Sequence, residues 1–300
     1  MRHGSTLDRR AFLAASAGGL AAAGLAPLTV PRPAAGAEAA PGRWAMHLST
    51  STVQFSSLTV EKACARIAAL GFEAVDFWNS AFACPHLDDI QKRLGGEGLK
   101  DLLAKHRLRL CGFSCYTVGY PKYAELLGKA GGGVAIRESR YGKVANLTAE
   151  MKALLEQLKP EVALAEKYDS YLAVENHEGA LLSSRDSFKA FVDLNANRRV
   201  GIALAPYHLQ AAGIAVDEII AIAGKQLFFF YAWQHGDGLN QLPGIGPTDC
   251  TPWIAALARA GYGRYVNPFM HGHPAPDPMS TALAKSRDYL KKCYGQAAAR

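Results

Sequence analysis

Eight times between residues 44 and 268, a short apolar run gives way to a longer stretch in which apolar residues recur every three or four positions. The runs fall at 44–49, 74–78, 108–113, 133–137, 170–176, 200–204, 227–233 and 264–268. They are apolar nearly throughout instead of alternating, which is the pattern of strands buried on both faces. Strands separated by helical crossovers pair in parallel, so this rhythm confines the chain to α/β architectures. Eight such units fit a closed (β/α)8 TIM barrel, whose usual size is roughly 250 residues. The rival is a doubly wound open sheet. It loses its main positive sign because no Gly-rich nucleotide fingerprint follows the first run, where His47-Leu-Ser-Thr-Ser-Thr stands instead.

The helical stretches carry their own punctuation. In the first, Val60, Ala63, Ile67 and Leu70 form one apolar face, Thr59 is placed to cap its start and Gly71 to end it. Pro160 divides or kinks the long stretch 148–168, because proline removes a backbone donor and crowds the preceding turn.

The N-terminus follows a different logic. Arg9 and Arg10, followed by Phe12 and Leu13, precede a weakly apolar Ala- and Gly-rich run and then Ala35-Gly36-Ala37. This resembles a twin-arginine export signal covering residues 1–37, with residues 38–300 as the mature barrel. The resemblance implies folding before export and a periplasmic or extracellular destination. Glycine, serine and proline interrupt the run too often for a stable membrane span. The full chain carries a net charge of +7. Cleavage after Ala37 removes Arg2, Arg9, Arg10, Arg32 and Asp8, which leaves +4, an ordinary surface. With no run of five like charges and no nucleic-acid motif, nucleic acid is not an expected partner. The six cysteines are too few for a disulfide-stapled scaffold; they either pair after export or stay as buried thiols.

Three segments carry a family resemblance. Residues 58–78, ending Gly71-Phe-Glu-Ala-Val-Asp-Phe-Trp78, the segment 171–179 with Glu175-Asn176-His177, and the run Leu242-Pro-Gly-Ile-Gly with Asp249 and Gly261-Tyr262 resemble the xylose isomerase-like TIM barrels of the sugar phosphate isomerase/epimerase group. Their order and spacing extend over nearly all of the mature chain. The resemblance implies chemistry at the C-terminal ends of the strands and a divalent metal held by Glu, Asp, His and Glu from strands five to eight.

Residue by residue, that ligand set is incomplete. Glu175 matches the fifth-strand position, but on the sixth strand Ala205 replaces the Asp three residues before His208. Gln234 or His235 stands at the seventh-strand His, and Asn267 where the eighth-strand Glu is expected. An alternative set is Glu175, His208, His271 and His273, three imidazoles and one carboxylate, suited to Zn, Mn or Fe. His271 and His273 also fit a solvated loop or hydrogen bonding to substrate.

Glu175 and His208 are the expected acid, base or ligand pair, with Trp78, His177, Trp233, Gln234, His235 and Asn267 as expected substrate contacts. The expected function is an exported sugar isomerase/epimerase-like enzyme that abstracts a proton next to a carbonyl of a free, oxidised or glycosidically linked sugar. Three alternatives stay open: a keto-sugar lyase or hydratase, a non-catalytic sugar-binding barrel whose metal site has decayed, and a multi-metal nuclease of the endonuclease-four type. The missing carboxylates and near-neutral mature charge argue against the nuclease.

Overall fold

The computed structural model describes residues 44–142 and 144–298. The proposed export signal and its cleavage point lie outside them. Eight parallel strands close into one barrel in sequence order: β1 (His47–Ser51), β2 (Ala74–Trp78), β3 (Arg109–Ser114), β4 (Val134–Glu138), β5 (Tyr171–Glu175), β6 (Val200–Leu204), β7 (Leu227–Ala232) and β8 (Tyr265–Pro268). The β8 strand pairs back onto β1 and leaves no edge. The expected (β/α)8 architecture is therefore the observed one.

Local signals act as the sequence predicts. The Thr59 side chain accepts from the Lys62 amide at the start of helix Val60–Ala69, and Gly71 follows at a φ of +77°. The stretch around Pro160 forms two helices, Leu147–Gln157 and Lys159–Lys167, with the proline in the first turn of the second, where its missing N–H costs no helical bond.

Along each strand the side chains alternate between two apolar clusters. Val75 and Phe77 of β2 face the helical layer together with Phe113, Val174 and Phe230. Ala74 and Trp78 face the barrel interior with Val134, Ile136, Ala173, Phe229 and Tyr231. Burying each large side chain contributes roughly 1.5–3 kcal/mol, so both layers are needed to hold the strands.

Two bulges break the alternation. Between β2 and β3, Val75 pairs with Leu110 but Asp76 pairs with Gly112, which makes Cys111 an extra residue. Between β6 and β7, Ile202 pairs with Leu227 but Ala203 pairs with Phe229, which makes Phe228 extra. Each bulge reverses which later residues point inward, so Ser114 and Tyr231 enter the barrel.

The N-terminal end of the barrel is closed by a stack. The Arg264 guanidinium lies 4.6 Å from the Tyr171 ring centre and 4.8 Å from that of Phe228, while Arg199 lies 5.0 Å from Tyr171. All six cysteines are buried and unpaired, the second of the two expectations for them. Among the described residues no helix is long and apolar enough to cross a membrane.

Candidate active site

The upper half of the barrel interior is polar, and a chain of hydrogen bonds runs across it. Asp76, fully buried, accepts from Ser51 Oγ at 2.8 Å, from Trp78 Nε1 at 2.6 Å and from Ser114 Oγ at 2.9 Å. Ser114 Oγ meets the Tyr231 hydroxyl at 2.9 Å, and Tyr231 meets the Tyr116 hydroxyl at 3.0 Å. The Tyr116 hydroxyl in turn lies near Glu175 at the end of β5 and favours its ionised form. Burial pushes the Asp76 carboxyl up to about 7, although its three donors favour the ionised form.

Glu175 stands on an inward position and is 9% exposed. Burial pushes its carboxyl up to about 8, partly offset by the Tyr116 hydroxyl and reinforced by the charges of Glu138 and Asp76. Glu138 pairs with it in register on β4 and accepts from the Thr117 amide at 3.3 Å. The chain thus places three carboxyl groups in one barrel end.

Beyond the strand ends lies a group of imidazoles. His208, in the short helix Pro206–Ala211 after β6, packs against His177 with ring centres 3.8 Å apart and the rings tilted by 40°. It is 9% exposed, and its Nε2 is buried with no hydrogen-bond partner. Burial, and then repulsion from His177, His271 and His235, lowers its pKa to about 3, so it is a neutral imidazole at physiological pH. His271 packs on Trp233 at 4.8 Å, Phe269 at 5.1 Å and Phe82 at 6.0 Å. Desolvation by these rings, and then His177 and His273, lowers its pKa to about 4, although part of its surface meets solvent.

The remaining expected contacts separate into two groups. His177 lies at the mouth beside His208, and His235 is exposed with its ring 4.8 Å from Tyr207. Gln234 and Asn267, expected to contact substrate, are fully buried and engaged elsewhere. Gln234 Nε2 donates to the Leu242 carbonyl at 2.6 Å and its Oε1 accepts from the Thr248 amide at 2.8 Å, which braces the loop after β7. Asn267 donates to Ser49 Oγ at 3.1 Å and accepts from Ser51 at 3.3 Å inside the barrel. Trp78 and Trp233 are 2% exposed, with indole N–H groups held by Asp76 and Gln241. They form the packed wall of the mouth, where Trp78 stacks on Phe269 and Trp233 on Tyr207.

The alternative metal set is not assembled. Among the described residues no group of three or more His, Cys, Asp or Glu is placed to hold a metal ion. His273 turns to Ser56 Oγ at 3.2 Å, while His271 is held among aromatic rings. Ala205, where the resemblance puts an Asp, exchanges two backbone bonds with the Asn176 amide at 2.7 and 3.1 Å. The donor set does not fit a divalent metal, and no chemical step is assigned to one. An open hollow of about 370 Å³ beside the C-terminal helix, lined by Gly244, Thr248, Asp249, Tyr289 and Lys292 among others, contains none of the mouth residues.

Sequence reasoning did not single out Asp76, Ser114, Tyr116, Tyr231 or Glu138. One signal was available: an aspartate inside the apolar run Ala-Val-Asp-Phe-Trp, where burial is tolerated only with hydrogen-bond partners.

No protein-family model matches the chain, and no curated protein does. Solved structures do. A xylose isomerase domain protein from Alicyclobacillus acidocaldarius superposes with a TM-score of 0.67 at 15% identity, covering 84% of this chain and 99% of its own. The IolI protein, solved with a bound zinc atom, gives 0.66 at 16%, covering 84% and 99%. The 3-keto-D-glucoside 4-epimerase from E. coli gives 0.62 at 14%, covering 81% and 100%. At these identities the likeness establishes a shared closed (β/α)8 barrel fold.

Proposed function

We propose that this chain is a sugar isomerase/epimerase-like enzyme that moves a proton beside a sugar carbonyl. The observation that carries this reading is the pair of opposite perturbations at adjacent strand ends: Glu175 holds its proton up to about pH 8, while His208 stays neutral with Nε2 unpartnered. The fold neighbours that are epimerases support it.

A carboxyl with a pKa near the working pH exchanges protons readily in both directions. In its ionised form, Glu175 takes the proton from the carbon next to the carbonyl. The developing enolate oxygen then meets a neutral imidazole edge instead of water, and His208 stabilises it by a hydrogen bond. Glu175 returns the proton to the same carbon on the route back; for isomerisation His208 first gives its N–H proton to the former carbonyl oxygen and recovers one from the neighbouring hydroxyl, and Glu175 then protonates the neighbouring carbon. Tyr116 keeps the carboxyl oriented, and the walls of Trp78, Trp233 and Phe269 exclude water.

The test is solvent exchange. Keto-sugars incubated with the protein in heavy water should gain deuterium beside the carbonyl, and Glu175→Gln should slow this at least about a hundredfold. Ala205 and Asn267 favour a second reading, a sugar-binding barrel without turnover; binding with no exchange selects it. Absence of both binding and exchange across the panel rejects the sugar reading. We further propose export by the twin-arginine route, on the strength of Arg9, Arg10 and the run to Ala37. Mass spectrometry of secreted protein beginning at Glu38 checks it.

A further inference from the structure

Among the described residues three large hydrophobic side chains are exposed: Val118 (40%), Tyr141 (51%) and Val144 (42%). Scattered apolar residues on a surface need no explanation, but these three are not scattered. Val118 belongs to the loop after β3, and Tyr141 and Val144 to the loop after β4. The two loops are joined where the Thr117 amide donates to the Glu138 carboxylate, so all three lie on one side of the barrel mouth.

This rim continues the site. The Tyr141 ring packs edge-on against His177 at 5.4 Å, His177 lies against His208 at 3.8 Å, and His208 meets Trp233 at 5.2 Å. A row of rings therefore leads from the mouth wall past His208 and ends at an exposed tyrosine. The backbone beneath Tyr141 is fixed: it bridges to Ala180, and the Leu181 amide donates to the Arg140 carbonyl at 2.7 Å. A side chain presented from a braced backbone loses little freedom when it is covered.

We propose that Val118, Tyr141 and Val144 form a second subsite that takes the apolar aglycone of a glycoside whose sugar ring lies at Glu175 and His208. The inference rests on the sugar reading above and narrows it to glycosidically linked substrates. A second pyranose would bring hydroxyls in need of polar partners. Tyr141 offers an aromatic face continuous with the row of rings, flanked by two exposed valines, and the neighbouring Arg140 and Glu150 are paired with each other. An aromatic or other flat apolar group is the complement of that surface.

Calorimetric titration with the methyl and phenyl 3-keto-β-glucosides, and with phenol alone, tests it. The phenyl glycoside should bind wild type at least about tenfold more tightly than the methyl one, as one good aromatic contact supplies. Tyr141→Ser, and separately the Val118→Ser/Val144→Ser double variant, should bring that ratio below about threefold, as expected when such a contact is lost. A wild-type ratio near one, or a ratio that neither variant moves, overturns the subsite while leaving the sugar reading intact. Phenol binding as tightly as the phenyl glycoside also overturns it, since the patch then acts apart from the sugar. If neither glycoside binds while a keto-sugar of the panel binds or exchanges, the subsite fails and the sugar reading stands; if the whole panel shows neither binding nor exchange, both fail.

Discussion

Asp76 shows how one residue can organise the interior of a barrel. Its carboxyl collects three donors from three strands, and each donor is fully enclosed. Asp76→Ala leaves all three without an acceptor and should destabilise the fold by roughly 2–4 kcal/mol in urea unfolding. Asp76→Asn should cost less, because the amide oxygen still accepts from two of them. The residue was visible in the sequence as a charge within an apolar run, yet its partners were not. Ser51 and Ser114 lie 25 and 38 positions away, and only the closed barrel brings them together. Glu175 and His208 were picked out by the family resemblance, and the structure places them at the end of β5 and in the short helix after β6. Of the two expectations for His273, the structure shows the solvated loop, with its ring turned to Ser56, because a loop's direction beyond a strand is set by packing.

At the scale of elements, all eight strands were legible, since a strand buried on both faces leaves an uninterrupted apolar signature. What the signature lacks is phase. A bulge adds one residue without altering composition, and both bulges act on the site: without the extra Cys111 and Phe228, Ser114 and Tyr231 would point at the helices. The junction of β5 and β6 has a different fixative, the Asn176 amide clasping both backbone groups of Ala205. Asn176→Ala should cost about 1–2 kcal/mol by leaving that N–H buried and unpaired, while the C=O keeps the His208 amide at 3.3 Å. Hydrogen exchange at the Ala205 amide should quicken more than at the β5 amides, which separates this local effect from global loosening.

For the molecule as a whole, the perturbed groups set the pH range of stability. Asp76 and Glu175 rise from usual values of 3.8 and 4.5 to about 7 and about 8, whereas His208 and His271 fall from 6.5 to about 3 and about 4. Between about pH 4.5 and 6.5 the unfolded chain holds protons on the two imidazoles and the folded chain on the two carboxyls, so stability is level. Above that window the folded carboxyls retain protons that the unfolded chain has lost, and stability should decline by roughly 2 kcal/mol up to pH 8. Below it the unfolded chain holds more protons, and stability declines again as pH falls toward 3. Asp88, held near 2 by Lys122 and Tyr123 against its own desolvation, steepens that acid limb. Urea unfolding at intervals from pH 3 to 9 checks the profile, and Glu175→Gln should flatten its alkaline side. The base of the barrel adds a constraint on traffic. With Arg264 wedged against Tyr171 and Phe228, the base of the barrel is shut, so Glu175 and His208 can be reached only from the C-terminal ends of the strands. On the proposed sugar reading, occupancy is then sequential: a departing product and an arriving substrate would share one doorway, and a bulky tail at the rim would hold the door against both.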